Sequence, residues 1–323
     1  MSDKAKIIDT LKYENKFYLI SHMLPDGDSI GSLLAMADGL RSMGKEVKAF
    51  TPGHIPKKYS FLHGSEQVSS IPEIEDYETT VLVLDSSDLD RLGDFKDAVS
   101  GSKKVINIDH HITNQEYGDL NLVDPEAAAT GEIIYLLLKE IGSEINMQIA
   151  ESLYVAISAD TGSFKFDNTT SRTHKIIAAL LETGITPGVL SQKIFDERPL
   201  SFYLLLKEAL SSLELYEDRL VAVMSLSKDI RERNGATTDD LEGIVNYTRN
   251  IEGVELGILF YVEGENEVKV GFRSRHLDVS ALAGKLNGGG HARAAGCRMY
   301  GDFESVKEKV MSEAISMAIE MEP

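Results

Sequence analysis

Apolar positions in the first half of the chain come in short runs that end abruptly in acidic or histidine residues. Phe17-Tyr18-Leu19-Ile20 leads into Ser21-His22-Met23-Leu24-Pro25-Asp26-Gly27-Asp28, and Val81-Leu82-Val83-Leu84 into Asp85. Lys104-Val105-Ile106-Asn107-Ile108 leads into Asp109-His110-His111, and Val47-Lys48-Ala49-Phe50 is a fourth run. Continuous apolar runs of this length predict strands buried on both faces, the mark of a parallel sheet. Between and after them the spacing turns helical. Leu33, Leu34, Ala37 and Leu40 share one face of a helix expected over 30–43, with Gly44 as its stop. Further helices are expected over 131–141, 147–159 and 173–181, the second running into Asp160-Thr161-Gly162. Strands alternating with helices indicate an α/β fold.

Arg198-Pro199 interrupts the pattern, and an amphipathic helix is expected over 200–215. We read residues 1–190 as one domain, 191–216 as a linker region and 217–323 as a second, smaller domain. In the latter, strands are expected at 220–223, 254–262 and 268–273, and helices over 239–248, over 279–286 and from 303. Gly288-Gly289-Gly290-His291 reads as a glycine-rich loop.

Composition narrows the chemistry. No apolar stretch of the 323 residues approaches the roughly 20 needed to span a bilayer. The Lys- and Glu-rich start has no signal-peptide core, so a cytoplasmic protein without a membrane partner is expected. A single cysteine, Cys297, excludes an intrachain disulfide framework and a cysteine-based zinc site. Any metal must therefore be held by His, Asp and Glu. A net charge of −19 argues against binding long duplex nucleic acid, which needs many phosphate contacts. One stretch runs the other way. Between Lys269 and Arg298, Lys269, Arg273, Arg275, Lys285, Arg293 and Arg298 face only Asp278, a positive island in an acidic protein.

Four clusters offer metal-ligand chemistry: His22-x3-Asp26-x-Asp28, Asp85, Asp109-His110-His111 and Asp160. Together they supply enough carboxylate and imidazole for two divalent cations, Mn²⁺ or Mg²⁺ in preference to copper or iron. A lone aspartate at its own strand end, Asp85, suits a bridging position. Each cluster also has a simpler reading. Asp26-Gly27-Asp28 can be a turn, Asp85 a helix cap, Asp160 an ordinary helix-end residue. Phe164 and Phe166 read either as base-stacking residues or as strand packing.

The four clusters, in this order, resemble the motifs of the DHH phosphoesterase superfamily, named for the triplet present here as Asp109-His110-His111. Phe272-Arg273-Ser274-Arg275 and Gly288-Gly289-Gly290-His291-Ala292-Arg293-Ala294-Ala295-Gly296 resemble its usual partner, the DHHA1 domain. Within the superfamily the chain looks most like bacterial stand-alone oligoribonuclease (nano-RNase)/pAp phosphatases and cyclic-di-AMP/pApA phosphodiesterases. The resemblance implies an α/β fold, a parallel-sheet N-terminal DHH domain plus a smaller α/β DHHA1 domain, with the active site in the cleft between them. It implies that His22 and Asp26 bind one metal, Asp28, His110 and Asp160 the other, and that Asp85 bridges them. His111 would face the substrate phosphate, with Asp109 orienting its neighbours. Arg273, Ser274, Gly288, Gly289, Gly290 and His291 would hold the nucleotide. The implied activity is Mn²⁺-dependent hydrolysis of very short oligonucleotides to 5′-mononucleotides, with pAp dephosphorylation as a side activity. A cyclic-di-AMP phosphodiesterase is the nearest alternative, and a nucleotide-binding regulator without turnover is the alternative of another class. An exposed sheet edge would allow a homodimer.

Overall fold

A computed structural model describes residues 2–72, 74, 76–264 and 266–320, without the side chains of Asp239 and His291. The chain divides into two compact units at Glu197/Arg198. The first unit comprises α1 (Asp3–Tyr13), β1 (Lys16–Ile20), α2 (Gly27–Ser42), β2 (Glu46–Phe50), β3 (Thr80–Leu84), α3 (Lys96–Ser100), β4 (Val105–Asp109), β5 (Leu120–Val123), α4 (Thr130–Ile141), α5 (Met147–Asp160), α6 (Ser171–Leu181) and α7 (Pro187–Ser191). The second comprises α8 (Leu200–Ser211), β6 (Glu214–Tyr216), β7 (Val221–Leu226), α9 (Lys228–Arg233), α10 (Asn246–Arg249), β8 (Leu256–Gly264), β9 (Glu267–Ser274), α11 (Val279–Lys285), β10 (Gly289–His291), β11 (Ala294–Tyr300) and α12 (Phe303–Ile319).

The first sheet has five strands in the order β2-β1-β3-β4-β5, and every pairing is parallel. Its central strands are apolar because both faces are covered, as the runs in the sequence predict. One face carries Leu19, Leu82, Leu84, Ile106 and Ile108 against apolar residues of α1, α2, α4 and α5. The other packs Tyr18, Ile20, Val81 and Val83 against Leu92, Phe95 and Val99. The strand order reverses between β1 and β3. In sheets of this kind the crevice beyond the carboxyl ends of those two strands is where ligands bind.

Helix α2 lies close against α5 because two of its positions carry no side chain. A Cβ built on Gly31 would sit 2.4 Å from the Ser152 carbonyl and 2.8 Å from Ala156 Cβ, and one on Gly27 would sit 2.4 Å from Ala159 Cβ. That approach brings the start of α2 next to the end of α5.

The second unit is built on a six-stranded mixed sheet, β10-β11-β9-β8-β7-β6, in which only β7 and β8 run parallel. Its core joins Val223, Ile258, Phe260 and Phe272 to Leu282 of α11 and Val310 and Ala314 of α12. Among the described residues no helix is long and apolar enough to cross a membrane.

Several expected boundaries move. α2 begins at Gly27 rather than Ile30, because Asp26 and Ser29 form a capping box that starts the helix early. The helix expected over 200–215 is shorter, and it packs Phe202, Leu205 and Leu206 on Met224, Leu226 and Leu259 of the second sheet instead of standing between domains. The helix expected over 239–248 is broken into short turns around Gly243, which sits at φ +88°. The expected loop Gly288–His291 is largely strand, with β10 pairing antiparallel to β11. Phe164 and Phe166 lie in a turn, not a strand. Phe164 packs on the core beside Tyr154, and Phe166 is half exposed.

Gly31→Ala should destabilise the first unit by about 1–3 kcal/mol through overpacking against α5. Urea denaturation followed by circular dichroism measures this, and an unchanged midpoint would contradict the close helix contact.

Candidate metal centre

The strands and helices of the first unit deliver six side chains to one place. His22 follows β1, Asp26 caps α2, Asp28 lies in the first turn of α2, Asp85 follows β3, His110 follows β4, and Asp160 ends α5. Three overlapping groups have their ligand atoms within 4.8 Å of one another: His22, Asp26 and Asp85; Asp28, His110 and Asp160; and Asp85, His110 and His111.

Asp85 joins the groups. Its Oδ2 lies 3.5 Å from His22 Nε2, and its Oδ1 lies 3.7 Å from His110 Nε2. Its backbone is left-handed, with φ at 59°, a conformation that costs a non-glycine residue roughly 1–2 kcal/mol and that aspartate tolerates better than most. The Thr130 hydroxyl donates to Oδ1 at 3.0 Å and holds the carboxylate in place.

Asp28 is fully buried. Its Oδ1 accepts from Ser32 Oγ and the Gly131 N–H, both at 2.9 Å, and its Oδ2 accepts from the Thr130 N–H at 2.6 Å. Those two amides open α4, whose own N-cap is Ala129 and supplies no capping side chain. The first turn of one helix is thus capped from another.

The imidazoles are aimed as ligands. His110 Nδ1 donates to the Ala127 carbonyl at 3.2 Å, which leaves Nε2 as the ligating atom. That Nε2 faces Asp160 Oδ2 at 3.2 Å and Asp28 Oδ2 at 3.8 Å. It is buried and makes no hydrogen bond, and both ring nitrogens of His22 are in the same position. A bare nitrogen lone pair pointed at carboxylates is repulsive unless a proton or a cation sits between them.

The electrostatics agree. Burial, then the charges of Asp85 and Asp160, push the Asp28 carboxyl well above the usual range. Burial, then Asp26, does the same to Asp85. Burial lowers His22. Burial would lower His110 too, but contact with Asp160 and the charges of Asp28 and Asp85 outweigh it and push it up to about 11. Without a cation Asp28, Asp85 and His110 are shifted toward their protonated forms, whereas His22 is shifted toward its neutral form. With divalent cations they can ionise together, so the donor set fits the hard or borderline ions that carboxylate and imidazole prefer.

Asp109 behaves differently. Burial disfavours its charge, but bonds from His111 and Asn114 prevail and lower its pKa. Its Oδ1 accepts from His111 Nδ1 at 2.7 Å and from the His110 N–H at 2.8 Å, and its Oδ2 accepts from Asn114 Nδ2 at 2.6 Å. Asn114 Nδ2 also reaches Asn107 Oδ1 at 2.8 Å. Asn107, Asn114, Ser32 and Thr130 were not singled out in the sequence. Of these, only Thr130 left a trace there, as the start of a helix preceded by three alanines with no capping residue of its own.

In the second unit, Arg273 Nε donates to Asn246 Oδ1 at 3.1 Å and Nη1 to the Phe272 carbonyl at 2.8 Å. Ser274 is buried, and its hydroxyl bonds the Leu277 carbonyl, so it secures the turn after β9. A Cβ on Gly288 would sit 2.2 Å from the Gly296 carbonyl, and one on Gly290, whose φ is +143°, 2.6 Å from the Ala294 carbonyl. Close packing on β11 therefore accounts for those two glycines, whereas Gly289 opens onto free space. The side chain of His291 lies outside the described residues.

Comparison with known proteins places this architecture. Residues 16–157 match the N-terminal domain of the DHH family, and residues 219–320 match the DHHA1 domain. The bifunctional oligoribonuclease and PAP phosphatase NrnA of Thermus thermophilus is 34% identical over 300 residues, covering 92% of this chain and 89% of that protein. Its namesake from Bacillus subtilis is 32% identical over 301 residues, covering 92% and 93%. The crystal structure of an exopolyphosphatase-related protein from Bacteroides fragilis superposes with a TM-score of 0.91 at 27% identity, over 97% of this chain and 95% of that one. With both domains matched in order and relatives aligned over nearly their whole length, the chain belongs to the DHH family, as a DHH domain followed by a DHHA1 domain.

Proposed function

We propose that this chain is a metal-dependent phosphoesterase that hydrolyses very short oligonucleotides to 5′-mononucleotides and also removes a phosphate from pAp. The relatives named oligoribonuclease and PAP phosphatase support the substrate class. The observation that carries the reading is Asp85, whose two oxygens face two different His–carboxylate groups. His22, Asp26 and Asp85 would hold one cation, and Asp28, His110 and Asp160 the second, with Asp85 shared. Two divalent cations, Mn²⁺ in first place and Mg²⁺ in second, would supply an activated water and neutralise charge building on the phosphoryl oxygens.

The remaining steps belong to the chain's own residues. Asp109 engages His111 Nδ1, so any proton that His111 gives to a leaving oxygen passes through Nε2. Arg273 would bind the nucleotide through its phosphate. The net charge of −19 disfavours long nucleic acid, so the substrate would be short.

A panel of pAp, pApA, short RNA and cyclic di-AMP with added Mn²⁺ tests the substrate. Release of mononucleotide from the linear dinucleotide and short RNA, with slower turnover of cyclic di-AMP, is expected. Preferential turnover of cyclic di-AMP would favour that alternative. Binding without turnover of any member would favour the regulator.

Asp85→Asn keeps a residue that tolerates the left-handed backbone and should lower kcat at least about 100-fold, since even residues behind metal ligands cost 10–100-fold. A near-normal rate with an unchanged circular dichroism spectrum would reject the shared-ligand assignment.

Mn²⁺ binding should release protons, because burial and neighbouring carboxylates shift Asp28 and Asp85 toward their protonated forms without it. The apparent affinity should therefore rise with pH. Calorimetry in buffers of different ionisation enthalpy measures the release, and an enthalpy independent of buffer would contradict the electrostatics.

A further inference from the structure

We propose that Asn168 is a positioning residue for the second cation. Its amide ties the Asp160 end of α5 to the 127–130 segment and so fixes where the Asp160 carboxylate stands against His110. The assignment rests on the two-cation reading above and adds to it the side chain that sets this spacing.

It starts from a difference among the carboxylates. Asp28 accepts from Ser32, Thr130 and Gly131, and Asp85 accepts from Thr130. Among the described hydrogen bonds and ion pairs, the Asp160 carboxylate has only His110 Nε2, at 3.2 Å. Its place therefore depends on how the backbone of Asp160 is held. That backbone lies at the last position of α5, where a helix leaves carbonyls without intrahelical partners. Asn168 Nδ2 donates to the Asp160 carbonyl at 3.1 Å and to the Ala128 carbonyl at 3.0 Å. An amide nitrogen has two protons, and each is used on a carbonyl oxygen. Among the described hydrogen bonds, Asn168 is the sole donor to either carbonyl.

The segment joined in this way already serves the other ligands. The Ala127 carbonyl accepts from His110 Nδ1. The Thr130 hydroxyl holds Asp85, and the Thr130 and Gly131 amides hold Asp28. Asn168 adds Asp160. All three ligands of the second cation, and the shared one, are thereby referenced to one short stretch of chain.

The turn that delivers Asn168 is strained. Gly162, Ser163 and Phe164 are consecutive left-handed residues, with φ at 55°, 59° and 64°. Two of the three carry side chains, which disfavour this conformation. Buried Thr161 holds the turn: its hydroxyl donates to the Ile157 carbonyl at 2.6 Å and accepts from the Phe164 N–H at 3.2 Å. Its carbonyl accepts from the amides of Lys165 and Phe166. Backbone strain of this kind persists where surrounding contacts impose it, and it clusters at functional sites. Here it returns position 168 to the residue eight positions before it.

The test is calorimetric titration of the metal-free full chain with MnCl₂, which needs no turnover. In Asn168→Ala one of the two binding steps should weaken about 10–100-fold, as for other residues behind metal ligands, while the other stays close to wild type. Asn168→Gln, which keeps a donor amide, should recover part of the loss. A merely structural tie would lower the urea midpoint of the metal-free protein and leave both Mn²⁺ steps unchanged, and that result would overturn the proposal. Equal weakening of both steps, or no difference between the Ala and Gln variants, would overturn it as well. Wild-type protein that binds fewer than two Mn²⁺ ions would sink the two-cation reading itself, and the assignment of Asn168 with it.

Discussion

The carboxylate of Asp28 ties the architecture of the first unit to its chemistry. It is fully buried, and it caps α4 through the amides of Thr130 and Gly131 while lying within reach of His110. A buried carboxylate is costly unless its oxygens are satisfied, and here amide donors and a helix N-terminus satisfy most of them. The same side chain that starts a helix therefore also belongs to a candidate ligand group. The close contact of α2 with α5 works with it. Gly27 and Gly31 let the two helices approach until Asp28 and Asp160 flank one imidazole. The fold of this unit and its candidate metal centre depend on the same few atoms.

The second unit solves an opposite electrostatic problem. The first gathers acid groups whose charges oppose one another. The second gathers guanidiniums and holds them with neutral oxygens from Asn246 and main-chain carbonyls.

The strand-end residues were legible because an apolar run that stops at a polar residue marks both a buried strand and its exit point. Asp85, Asp109 and His110 stand out that way, and the two matched domains follow in the order read from the chain. Other features were hidden for physical reasons. Gly27, Asp28 and Ser29 are poor helix formers, so only the capping geometry of Asp26 reveals that α2 starts there. α1 is largely charged outside Ile7 and Leu11, and β5 is short and half-buried, so neither showed the expected periodicity. The roles of Asn107 and Asn114 depend on contacts between chain segments that local pattern cannot encode. At Gly288 and Gly290, glycine was read as freedom for a ligand, whereas the neighbouring strand uses that freedom.

Asp28 and Asp85 are clamped inside the protein, whereas the side chain of Asp26 is 54% exposed. Ions of different radius demand different ligand separations, and a close-packed interior resists adjusting them. The adjustment would fall first to Asp26, the most exposed of these carboxylates. Discrimination between larger and smaller cations would then reside at the rim of the cage, in a residue whose own helix hangs from its hydrogen bonds.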